Sequence, residues 1–167
     1  MNRRIFTSSG KLIDPFDPSP NLITIEDIAN ALSNIPRFGG HTPIFYSVAN
    51  HSINCCISAN TSRKDALYML LHDASEAYLL DIPTPVKIRL PEYLAAEKYM
   101  QEIIYRKFVG SLPDREESLL IEQIDAQLLD IEISAFFGRS SRMLDLVCST
   151  RRNTPELFLK KFKKLTQ

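Results

Sequence analysis

Ala66-Leu67-Tyr68-Met69-Leu70-Leu71-His72-Asp73-Ala74-Ser75-Glu76-Ala77-Tyr78-Leu79-Leu80-Asp81 is the stretch on which the reading of this chain turns. Apolar residues occupy nearly every side of a 3.6-residue period, the mark of a helix enclosed by other helices. The spacing predicts one helix from about Arg63 to Leu80, stopped by Pro83 and Pro85. Yet His72, Asp73 and Glu76 stand in its middle, and an unpaired buried carboxylate is expensive. A divalent cation offsets that cost well, because it binds imidazole and carboxylate together. Helical geometry agrees: Glu76 is i+4 from His72 and i+3 from Asp73, so the three share one side. The rival reading is a buried His72–Asp73 hydrogen-bonded pair with Glu76 on a wet edge.

Working outward, a helix is predicted from about Phe45 to Ala59. Its residues Ser47, His51, Asn54 and Ser58 form a polar stripe, which by itself reads as the wet face. Before it lies a loop, Arg37 to Pro43, whose two glycines leave the backbone free around His41. A first helix runs from near Thr24, where Thr24 and Asp27 resemble a capping box, to before Pro36. Residues 1–20 read as irregular or as a short hairpin turning at Ser8-Ser9-Gly10.

Downstream, helices are predicted from about Pro91 to Val109, with Gly110 past the end, and from after Pro113 to Phe137, with Gly138 as the C-cap. Two shorter helices should follow, the last opening at Thr154-Pro155-Glu156. On the long helix ending at Phe137, Asp125 borders the apolar face set by Ile121, Leu128 and Leu129, while Glu122 points outward. Asp130 and Glu132 remain alternatives that periodicity does not eliminate. The expected architecture is all-α: one domain over 1–167, a bundle of six to eight helices without a strand ladder.

Composition narrows the class. Among 167 residues, 20 Lys+Arg balance 20 Asp+Glu, and 44% are hydrophobic. That excludes a disordered chain and argues against broad binding to a nucleic-acid backbone. Three cysteines, Cys55, Cys56 and Cys148, make no disulfide framework and no C-x-x-C pair. They read as small buried apolar residues. The longest apolar run, Ala66 to Leu71, is far short of the roughly 20 residues of a membrane span. The N-terminus lacks the apolar core of a signal peptide, so a soluble cytoplasmic protein with no membrane partner is expected.

The ordered set His51, His72-Asp73 and Asp125 on a helical chain resembles the HD-domain metal-dependent phosphohydrolases. Further blocks strengthen the resemblance: Arg37-Phe38-Gly39-Gly40-His41-Thr42, Phe45 to Ser52, Leu71 to Tyr78, and Asp81-Ile82-Pro83-Thr84-Pro85-Val86-Lys87. They are similar to the branch holding bacterial 5′-deoxynucleotidases and small phage phosphohydrolases, among them dATP triphosphohydrolases. The match is close from Ile5 to Lys87 and looser around Asp125.

The resemblance implies roles. His51, His72, Asp73 and Asp125 match the ligands of one divalent transition metal, Mn, Co, Fe, Ni or Zn, with an additional Mg or Mn able to accompany substrate. Glu76 and Asp81 match the acids that move protons and position the attacking water. Arg37 matches a phosphate contact. Lys87 is a further cation expected near phosphate, and His41 a loop residue able to reach substrate. Phe38 stands where the deoxynucleotidases carry tryptophan, a residue this chain lacks altogether. The implied activity is hydrolysis of a deoxynucleoside monophosphate; the alternatives are a dNTP triphosphohydrolase and an inactive nucleotide-binding module. A homodimer or higher homo-oligomer is also implied.

Overall fold

A computed structural model describes residues 4–59, 61–138 and 146–167. A two-stranded antiparallel hairpin comes first: β1 (Ile5–Phe6) pairs with β2 (Leu12–Ile13), Ile5 opposite Ile13. Helices follow: α1 (Ile25–Asn34), α2 (Val48–Ser58), α3 (Arg63–Leu71), α4 (Glu76–Leu79), α5 (Thr84–Lys87), α6 (Pro91–Phe108), α7 (Arg115–Phe136) and α8 (Thr154–Thr166). Single 3-10 turns, Pro20–Leu22 and Arg37–Gly40, precede α1 and α2. The all-α class holds, and the short hairpin forms where the Ser8-Ser9-Gly10 turn places it.

Helix boundaries follow from end chemistry. Thr24 caps α1, its Oγ1 accepting from the Asp27 N–H. The Asp27 carboxylate accepts from the Ser8 and Ser9 hydroxyls, the Ser9 N–H and the Thr24 hydroxyl. That fourfold set clamps the hairpin turn onto the start of α1. Asp114 and Glu117 form a capping box at α7. Gly110 closes α6 with φ +92°, a left-handed position that favours glycine.

Other expectations need correction. The helix predicted from Phe45 begins only at Val48, because a Ser47–Asn50 capping box fixes its start and Pro36 bridges to Ser47 just before it. The helix predicted over 63–80 breaks into α3 and α4. Residues 72–75 form tight turns, with N–H groups bonding carbonyls three residues back, as Ala74 to Leu71 and Glu76 to Asp73. Gly138 is not a left-handed cap; a side chain there would strike the Ser134 carbonyl oxygen at 2.7 Å. The first of the two short C-terminal helices falls mostly on residues outside the described set; 146–153 are irregular, and α8 starts at Thr154 as expected.

Two helices carry the centre of the core. α2 is buried continuously from Val48 to Cys56 and packs on α1, α3, α7 and α8. α3 is buried from Ala66 to Leu71 against α2, α6, α7 and α8. The polar stripe of α2 is therefore no wet face: Ser47, His51 and Asn54 are interior, and only Ser58 reaches solvent. Asn50 and Asn54 spend their side chains on Val147 and Ser149, tying the segment before α8 to α2. Of the cysteines, Cys55 and Cys56 are buried as expected but Cys148 is exposed. Among the described residues no helix is long and apolar enough to cross a membrane.

Candidate metal centre

His51 from α2, His72 at the end of α3 and Asp125 from α7 meet where these helices pack. His51 Nε2 lies 3.1 Å from His72 Nε2 and 3.0 Å from Asp125 Oδ1. His72 Nε2 lies 3.8 Å from the same carboxylate oxygen. Asp73 adjoins, its Oδ2 3.2 Å from His72 Nε2 and 3.5 Å from His51 Nε2. Cys55 also enters, with Sγ 3.6 Å from His51 Nε2. His51, Cys55, His72 and Asp125 each offer one donor atom within 4.8 Å of the others.

The outer nitrogens of both rings are committed. His72 Nδ1 lies 2.8 Å from the Met69 carbonyl oxygen, which can only accept, so Nδ1 carries the hydrogen. His51 Nδ1 lies 2.7 Å from Glu132 Oε1, again an acceptor. Both Nε2 atoms therefore turn toward each other and toward carboxylates. Two imidazole lone pairs at 3.1 Å repel unless a positive species sits between them. In tetrahedral coordination with bonds of ~2.0–2.1 Å, neighbouring nitrogen or oxygen donors stand ~3.3 Å apart. The spacings here straddle that value, so the donor set fits a divalent cation. Carboxylate or carbonyl partners on the outer ring nitrogen are also what metal-binding histidines use.

Glu132 is the residue the sequence reading left unresolved. It is fully buried and bonds His51, Tyr46 Oη at 2.7 Å and Arg37 Nη2 at 3.2 Å. Burial raises its proton affinity, but these partners overcome that and hold it ionised below the usual range. Its signal was position: seven residues after Asp125, it lies on the same face of α7. Asp130 and Glu122 are exposed.

The charges form a graded field. Burial works to raise Asp73, yet His72, His51 and Arg37 keep it well below the usual carboxylate range. Asp125 is likewise depressed, by bonds from His51 and His72 against burial. Glu76 goes the other way: burial, then Asp73 and Asp81, push it well above the usual value. Among the described residues its buried Oε2 has no hydrogen-bond partner, while Oε1 lies 3.5 Å from Lys87 Nζ. Asp81 is raised too, chiefly by burial.

A cavity of about 310 Å³ adjoins the cluster, lined among others by Arg37, Asp73, Glu76, Asp81, Lys87 and Asp125. Phe38 shares its wall, edge-on to Phe137 at 5.4 Å. Phe38 takes φ +55° and Leu80, just before Asp81, φ +72°. Such conformations cost roughly 1–3 kcal/mol per side-chain-bearing residue and cluster at functional sites. His41 is not brought in; it is exposed and does not line this cavity. Lys87 lines the cavity but is engaged, 2.6 Å from Glu97. Arg37 holds Asp73 and Glu132.

No family model matches the chain. It is similar to the uncharacterized protein YfdR of Escherichia coli, 32% identical over 154 residues that cover 87% of this chain and 85% of the relative. It is also similar to the uncharacterized protein RCAP_rcc00048 of Rhodobacter capsulatus, 36% identical over 140 residues, 77% and 71% of the two chains. With a third of its residues shared across most of both lengths, the chain belongs to the family of YfdR.

Proposed function

We propose that the protein is an HD-type, metal-dependent phosphohydrolase that converts a deoxynucleoside 5′-monophosphate to deoxynucleoside and phosphate. The observation that carries the reading is the convergence of two Nε2 atoms and two aspartates at one edge of a cavity that also holds Glu76, Asp81 and two cations. His51, His72 and Asp125 would hold a divalent transition metal, with Asp73 beside them. Such a cation lowers the pKa of water and polarises a phosphoryl oxygen. Arg37 presents a planar donor to phosphate oxygens and Lys87 a point charge. Asp81 orients the attacking water. Glu76, whose proton affinity is pushed up by burial and by Asp73 and Asp81, hands a proton to the departing 5′ oxygen as the phosphorus–oxygen bond breaks.

Cavity size and charge favour one phosphate. A volume of about 310 Å³ is at the small end for ligand pockets. Among the described residues that line it, Arg37 and Lys87 bring the positive charge. A triphosphate calls for more, and Arg63, Lys64, Arg89 and Arg151 are not among the lining residues; Lys64 pairs with Glu117, and Arg151 stacks on Phe45.

The test is hydrolysis of a panel of dNMPs, NMPs and dNTPs with each metal, assaying phosphate and triphosphate separately beside His72→Ala and Asp73→Ala. Phosphate from dNMPs, lost in both variants, is expected. Triphosphate from a dNTP would replace the monophosphate reading, and silence with every metal would sink the enzymatic one.

A further inference from the structure

We propose that Cys55 is a ligand of the metal, so that the centre carries a thiolate and selects a thiophilic cation such as Zn²⁺, Co²⁺ or Fe²⁺ over Mn²⁺ or Mg²⁺. This rests on the metal-centre reading above and sharpens it. Cys55 is one helical turn after His51 on α2, fully buried, with Sγ 3.6 Å from His51 Nε2. Its Sγ also lies within 4.8 Å of the donor atoms of His72 and Asp125, a mutual set that does not include Asp73. In a tetrahedral shell with bonds of ~2.3 Å to sulfur and ~2.0–2.1 Å to nitrogen, the two donors stand ~3.6 Å apart. The observed separation has that value.

The donor set is also compatible in charge. Arg37 bridges Asp73 and Glu132, at 3.5 and 3.2 Å. That cation therefore has two carboxylates of its own. Asp125 meets His51 and His72 and contributes one negative charge to the donor set. With a Cys55 thiolate, the donor set His51, His72, Asp125 and Cys55 itself carries two negative charges, the number that a divalent ion brings. Asp73 adjoins as a fifth donor, shared with Arg37. On coordination the S–H bond breaks, the sulfur electron pair goes to the metal, and the proton leaves to solvent. Sulfur ligands favour softer cations, whereas an all-nitrogen-and-oxygen set leaves the choice open.

Cobalt(II) titration of the full chain tests the assignment, because ligand-field bands in the visible report any bound cobalt and a sulfur-to-cobalt charge-transfer band in the near-ultraviolet reports thiolate alone. Both are expected for the native protein and for a Cys56→Ala/Cys148→Ala double variant, in which Cys55 is the one remaining thiol. In Cys55→Ala and Cys55→Ser the visible bands persist while the ultraviolet band disappears. The preference for Zn²⁺ over Mn²⁺ should narrow by about tenfold or more in these variants. Should the Cys55 variants fold poorly, the native and double-variant spectra decide. Visible bands without the ultraviolet band in the native protein would overturn the Cys55 ligand and leave the metal centre standing. Failure to take up cobalt at all would overturn both.

Discussion

Asp27 and Glu76 are both buried carboxylates in the same helical bundle, and their surroundings treat them oppositely. Asp27 accepts four hydrogen bonds, and although burial pushes its proton affinity up, those bonds bring its pKa down to about 2. Glu76 has one oxygen with no partner among the described residues, two acids nearby and a lysine at 3.5 Å, and its proton affinity is driven up. The first arrangement is what stability alone produces: every lone pair occupied, a charge held in place. The second leaves free energy unclaimed, which is the signature of a group awaiting something else. Burial of an acid therefore says little until its partners are counted.

The contrast is breakable by experiment. Glu76→Gln should lower kcat by roughly 10²–10⁴-fold while the melting temperature holds or rises, since a neutral amide sits among Asp73 and Asp81 at least as well as a carboxyl group that they force to hold its proton. Parallel kinetics and calorimetry check this; a large stability loss with normal turnover would put Glu76 in the same class as Asp27. Glu132→Gln should weaken metal affinity by about 10–100-fold, read by competition with a chelator, because the partner that orients His51 becomes a poorer acceptor. Asp27→Asn should leave hydrolysis unchanged and reduce unfolding free energy by about 2 kcal/mol in denaturant titration, the worth of its depressed pKa. The smallest effect is in the pH dependence of that difference. The folded pKa lies below the ordinary 3.8, so Asp27 stabilises fully above that value. Its contribution fades as pH falls through about 2, where native and Asp27→Asn unfolding curves should converge.

Much of this was legible in the chain itself. Thr24, Asp114 and Gly110 announce helix ends by local chemistry, and local chemistry is visible in sequence. His51, His72, Asp73 and Asp125, singled out from the sequence, lie together in the fold. The break at His72 was not legible, because apolar residues continue through Leu79 whether the backbone stays helical or tightens into turns. Cys55 was passed over because a cysteine on an apolar helix looks like filler until its neighbour one turn back is known to face a shared centre. Glu132 was undecidable for a similar reason: its partners, Tyr46 and His51, lie 86 and 81 residues away.

Those separations bear on how the molecule assembles. His51 and His72 are 21 residues apart, so α2 and α3 close only a short loop when they pair. Glu132 and Asp125 arrive from α7, after a far longer stretch of chain has been drawn in, and until they do Asp73 alone of these three acids stands beside the two imidazoles. Coordination free energy is thus realised in full only once α7 has docked on the α2–α3 pair. A bound ion would therefore slow unfolding by holding α7 against the α2–α3 pair. Added metal then becomes a probe of the order in which the helices part.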